Sequence, residues 1–116
     1  MNQQPLFERV DTVFVVVEDF RKAIDWYKHK LGLKPVFQAD GACALTTGET
    51  TPVTLIDASV LEEEHPIFNF FTADIQIAHQ HLSSRSIQVG PIRDYGSMST
   101  FDFRDLNGRL LNVCSF

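Results

Sequence analysis

The stretch DTVFVVVEDFRKAIDWYKHKLGL, residues 11–33, runs a β-branched apolar strand directly into an amphipathic helix. Asp19 stands where a helix N-cap belongs. Behind it Phe20, Ala23, Ile24, Tyr27 and Leu31 fall on one stripe at helical spacing, and Gly32 supplies a left-handed stop. Three short strand candidates follow, KPVFQ (34–38), ACALTT (42–47) and PVTLIDA (52–58), with Asp40-Gly41 as the turn between the first two. The unit reads βαβββ.

The same order returns after the acidic run Glu62-Glu63-Glu64. IFNFFT (67–72) reads as a strand, Asp74 as a second cap, and Ile75, Ala78, His79 and Leu82 as a second helical stripe; IQV, MSTFDF and RLLNVCSF complete the set. Sliding the chain on itself places Asp19 on Asp74, Ala23 on Ala78, Gly41 on Gly96 and Leu55 on Leu110. The expected fold class is therefore α+β. Two βαβββ modules, about 8–58 and about 65–116, stand in tandem in one domain spanning 1–116. They are expected to form a cupped mixed sheet around a cleft, with the helices on the outer face, and a ligand belongs in that cleft.

Composition narrows the function. The 116 residues carry 15 acidic against 10 basic side chains, a formal charge of -5, which argues against a nucleic-acid partner. No apolar run reaches the roughly 20 residues of a membrane span, and MNQQPLFER lacks the basic-then-apolar order of a signal peptide, so a cytoplasmic protein with no membrane partner is expected. Cys43 and Cys114 lie in separate apolar strands and read as reduced thiols. His79 and His81, two residues apart, point to different helix faces and read as packing residues, as does Trp26.

Two motifs carry a resemblance. VVVEDFRKAIDWYKHKLGL resembles the strand, Asp, helix and FY...LG signature of the vicinal oxygen chelate superfamily. This family includes glyoxalase I, extradiol dioxygenases and the fosfomycin and bleomycin resistance proteins. FRDLNGRLLNV is similar to its DPdGN-x-LEL hairpin. The resemblance implies paired modules, often in a homodimer, and in metal-dependent members four strand positions bearing His or Glu around a divalent metal. Carried onto this chain, those positions are Thr12, Asp57, Ile67 and Asn112. Only Asp57 offers a strong donor, so no cofactor is expected; His65 with Asp57 is the metal alternative.

Local geometry supplies a pocket expectation. Taking Asn107-Gly108 as a two-residue hairpin turn pairs Phe103 with Asn112 and Phe101 with Cys114. With strand alternation, the inward set is Thr12, Phe14, Asp57, Asn69, Phe71, Phe101, Phe103 and Asn112. Aromatic surface with a few polar anchors suits an aromatic or amphiphilic small organic ligand. The leading expectation is a metal-independent binding protein resembling the bleomycin resistance type. The alternatives are a lyase, isomerase or oxygenase with Asp57 as catalytic base, with or without metal and His65, and a subunit-association or regulatory module.

Overall fold

The computed structural model describes residues 5–48 and 50–116; the first four residues of MNQQPLFER lie outside that range. Elements follow the order β1 (Arg9–Val17), α1 (Phe20–Leu31), β2 (Lys34–Ala39), β3 (Ala42–Thr46), β4 (Val53–Asp57), β5 (Phe68–Phe71), α2 (Ile75–Ser84), β6 (Arg93–Asp94), β7 (Ser99–Arg104) and β8 (Leu110–Ser115). A 3-10 turn spans Ala58–Val60. The two βαβββ modules are present. The chain divides into two compact units, Thr12–Ile67 and a second formed by Phe68–Phe116 with the segment ending at Asp11.

In the first unit the strands lie in the order β2-β3-β4-β1. β1 and β4 run parallel, and the other neighbours antiparallel. The Asp19 side chain accepts the Lys22 N–H at 3.2 Å to start α1, and Gly32 ends it at φ 72. Ile24 buries against Cys43, Leu45 and Leu55, with Phe20, Ala23, Tyr27, Val15 and Val17 around them. Leu31 and Trp26, expected to pack, are about half exposed, Leu31 because it sits at the last turn of α1.

The second unit repeats the scheme as β5-β8-β7-β6, with β5 and β8 parallel. Asp74 accepts the Ile77 N–H at 3.1 Å. Ala78 and Leu82 of α2 pack on Phe101, Phe103, Leu111 and Val113, joined by Phe68 and Phe70. Phe7, ahead of β1, stacks on Phe70 at 4.5 Å, and the Glu8 carboxylate accepts the Ala73 N–H, so the N-terminal segment belongs to this unit rather than to module one. IQV forms no strand: Val89 makes an isolated bridge to Phe103, and the short β6 takes the edge position. His81 is exposed, unlike the packing role expected of it.

The register of the last hairpin departs from expectation by one residue. Asp105 N–H donates to the Arg109 carbonyl, Gly108 N–H donates to the Asp105 carbonyl, and Gly108 takes φ 79. This is a three-residue loop with a left-handed glycine, not a two-residue turn on Asn107-Gly108. Phe101 therefore pairs with Val113, Phe103 with Leu111, and Asp102 with Asn112. A one-residue slip turns every side chain to the other face. Phe101 and Phe103 are thus buried core under α2, and the expectation that they face the ligand side is corrected.

Phe101→Ala should cost about 3–5 kcal/mol in urea unfolding, as a large cavity in a packed core does. Phe71→Ala, which truncates a half-buried ring on the opposite face, should cost clearly less.

Candidate functional site

Each unit offers one sheet face turned away from its helix, and ladder pairing says which residues it carries. In the first unit, Thr12, Phe14 and Val16 alternate with the helix-side Val13, Val15 and Val17. Phe14 pairs with Thr54, Thr54 with Ala44, and Ala44 with Phe37. The Thr12 hydroxyl donates to the Pro52 carbonyl at 3.0 Å, so the Thr54 hydroxyl, 2.7 Å away, donates to Thr12. His65 lies edge-on to Phe14 with ring centroids 4.7 Å apart, and its Nδ1 is 2.8 Å from the Pro66 carbonyl oxygen.

Asp57 is not on this face. It pairs with Val17, on the α1 side, and one carboxylate oxygen accepts both the Ser59 N–H at 2.9 Å and the Ser59 hydroxyl at 2.8 Å. The carboxylate caps the 3-10 turn. Its assignment as an inward base beside Thr12 is corrected, and so is its pairing with His65. The cause lies in the repeat. From its helix cap to the matching strand position the second unit is three residues longer than the first, Asp74 to Asp102 against Asp19 to Ala44, and that odd excess reverses face parity in the last two strands when the copies are aligned on their caps. By ladder position the counterpart of Asn112 is Thr54, and that of Asp102 is Ala44.

In the second unit, Asn69 pairs with Asn112 and Phe71 with Cys114, opposite the α2-facing Phe68, Phe70 and Val113. Asn69 Nδ2 donates to Asn112 Oδ1 at 3.4 Å; Asn112 Nδ2 donates to Asp102 Oδ1 at 2.8 Å and to the Phe101 carbonyl at 3.3 Å. Asp102 was not singled out from sequence. The FRDLNG loop, read with its Gly108 in the left-handed position of a three-residue turn, is the signal that would have found it.

Beside this row Arg9 lies 4.0 Å over the Phe71 ring and 5.8 Å from Phe116, with its guanidinium 3.2 Å from Asp11. Burial, then the negative charge of Asp11 and a hydrogen bond to its carboxylate, push the Cys114 thiol up to about 12 against the opposing pull of Arg9. Cys43 is also raised, by burial foremost, with Lys28 opposing.

The metal that the family resemblance implies does not fit these residues. Thr12 and Asn112 present neutral oxygens already engaged in hydrogen bonds, and Ile67 has no donor. Asp57 stands on the helix side, and the one thiol on the helix-free faces, Cys114, is held protonated. Among the described residues no three His, Cys, Asp or Glu converge.

Two βαβββ units, each joined by a parallel strand pair and carrying polar groups on its helix-free face, define the fold class. The family profile described as the Glyoxalase/Bleomycin resistance protein/Dioxygenase superfamily matches residues 9–113, and the chain belongs to that family. Among solved structures it is similar to methylmalonyl-CoA epimerase from Mycobacterium tuberculosis, at 18% identity and TM-score 0.74, covering 99% of this chain and 92% of that one. A selenomethionine methylmalonyl-CoA epimerase matches at 16% identity and TM-score 0.77, covering 98% and 99%. A variant of the Streptomyces coelicolor methylmalonyl-CoA epimerase, in complex with 2-nitronate-propionyl-CoA, matches at 14% identity and TM-score 0.71, covering 94% and 97%. At these identities the likeness is one of fold. No curated protein sequence matches the chain.

In the unfolded chain a thiol ionises near pH ~8.5, whereas folded Cys114 does so only near about 12. Between those values the unfolded state sheds a proton the folded state keeps, so stability falls as pH rises. Urea midpoints should decline from about pH 8 to about pH 10, by at most about 1.4 kcal/mol per pH unit for this thiol, and less steeply in Cys114→Ala. Equal slopes in the two proteins would remove the Cys114 assignment.

Proposed function

We propose that this chain is a metal-independent binding protein for small organic molecules, acting as one domain and as a cytoplasmic homodimer. It would take an aromatic or amphiphilic ligand on the faces turned away from the helices. One observation carries this reading: of the strand positions where a metal-dependent relative would place its ligands, Thr12 and Asn112 hold neutral side chains engaged in the protein's own hydrogen bonds, Thr12 with Thr54 and Asn112 with Asn69 and Asp102. Around them stand surfaces suited to a flat molecule. The first unit offers Ala44 and Thr54 as a floor, with Phe14, His65 and the exposed Phe37 beside it. The second offers Phe71 and Phe116 beside an amide and carboxylate row.

The acidic balance supports the expectation of no nucleic-acid partner, and no helix of the described residues is long and apolar enough to cross a membrane. The reading with Asp57 as catalytic base loses support, since that carboxylate is engaged with Ser59 on the helix side.

Native mass spectrometry of protein purified without chelator should give a metal-free dimer, and neither EDTA nor added Zn, Ni, Mn or Fe should move the melting temperature. Flat aromatic compounds should raise it, by the equivalent of about 2.7 kcal/mol at about a hundred times Kd. Near-stoichiometric metal would overturn the proposal, as would a broad aromatic panel without one stabilising compound.

A further inference from the structure

We propose that Asp102 is the specificity-determining anchor of the face turned away from α2, and that the ligand group it selects is a protonated amine. The inference rests on the binding reading above and names the chemistry of its ligand.

Asp102 sits in mid-strand on β7, at one end of a row of side chains that donate in a single direction: Asn69 to Asn112, and Asn112 to Asp102 Oδ1. The Asn112 amide nitrogen is committed to two acceptors, Asp102 and the Phe101 carbonyl. The row thus ends on a carboxylate with one oxygen held by the protein. For Asp102 Oδ2 there is no donor among the described residues, and no Lys, Arg or His among them forms an ion pair with this carboxylate.

Strand pairing does not require an acid here. Ala44 holds the equivalent ladder position in the first unit, buried and paired with Thr54 as Asp102 is paired with Asn112. A half-buried charge without a counter-ion costs stability, so its presence at a position that alanine can fill points to a use outside the fold. The backbone beneath it is fixed. The Asp102 carbonyl accepts the Gly90 N–H at 2.7 Å, His79 Nε2 lies 2.8 Å from the Gly90 carbonyl oxygen, and the His79 ring packs edge-on to Phe101. An anchor held this way loses little freedom when a ligand arrives.

A carboxylate only accepts, so the group it recognises must donate. A cationic nitrogen gains a charge-assisted hydrogen bond that a neutral hydroxyl does not, and the overall charge of -5 favours the same sign of ligand.

The test uses three indoles of one ring and different charge, tryptamine, 3-ethylindole and indole-3-propionic acid, titrated calorimetrically into the full chain at low salt. Tryptamine should bind at least about tenfold more tightly than 3-ethylindole, with the acid weakest. In Asp102→Asn that ratio should fall to about one, and Asp102→Ala, which copies the Ala44 position, should do the same if the first variant folds poorly. A wild type that binds the indoles without preferring the amine, or a variant that keeps the preference, overturns this inference and leaves the binding reading standing. If none of the three binds the wild type, the binding reading falls and takes this inference with it.

Discussion

One carboxylate oxygen of Asp105 accepts the N–H groups of both Asn107 and Arg109, each at 2.9 Å, and so holds the turn between β7 and β8 in a three-residue form. Gly108 completes it with a backbone conformation that costs a side-chain-bearing residue about 1–3 kcal/mol. The turn sets the register of the hairpin, and the register decides which side of the sheet each residue meets. With Arg104 opposite Leu110, two phenylalanines fall under α2 and Asp102 falls beside Asn112. With a turn one residue shorter, the acid would lie in the core and the rings in the solvent-side row. Burial drives the choice in the same direction, since each ring contributes a few kcal/mol under the helix while a carboxylate there would lack any partner.

The two units show how one scaffold carries different chemistry. Strand order, the parallel closing pair and the Asp-capped helix are common to both. Across the same ladder row, however, the first unit reads Phe14, Thr54, Ala44 and the second reads Asn69, Asn112, Asp102. The helix-side rows stay apolar in both, with Val15, Leu55 and Cys43 against Phe70, Val113 and Phe101. Packing constrains one face of each sheet, and the other face is free to diverge, which is why family membership leaves the ligand open.

That division also explains what could be read from the amino acids alone. The helix signals are local: Asp19 and Asp74 reach N–H groups three residues on, and Gly32 needs no distant partner. Apolar stripes and β-branched runs likewise report on neighbours in sequence, so the module order was legible. Face assignments in the last strands depend on parity, counted through a turn and across the two copies of the repeat. An odd miscount in that counting moved Asp57 to the wrong side, kept Asp102 out of view and turned Phe101 and Phe103 outward. Asn69, Phe71 and Asn112 lie on the face turned away from α2, as the alternation of β5 and β8 required, since no miscounted turn intervenes between those residues and their strand patterns.

Polar groups on the helix-free faces are costly to bury, and the chain meets that cost with its own partners. Thr12, Thr54 and Asn69 are almost wholly inaccessible, yet among the described residues every buried side-chain nitrogen and oxygen has a hydrogen-bond partner. A fully satisfied polar row is rigid and directional. Such a row offers a ligand only its shape and the dipoles it aligns, while the capacity to accept a new bond gathers at the end of the row. Metal-dependent relatives would spend these positions on charged donors held open for an ion. This chain engages Thr12 and Asn112 each with neighbours in its own unit, so any recognition on the second unit's face must come from the aromatic surface beside the row and from the carboxylate on which the row ends.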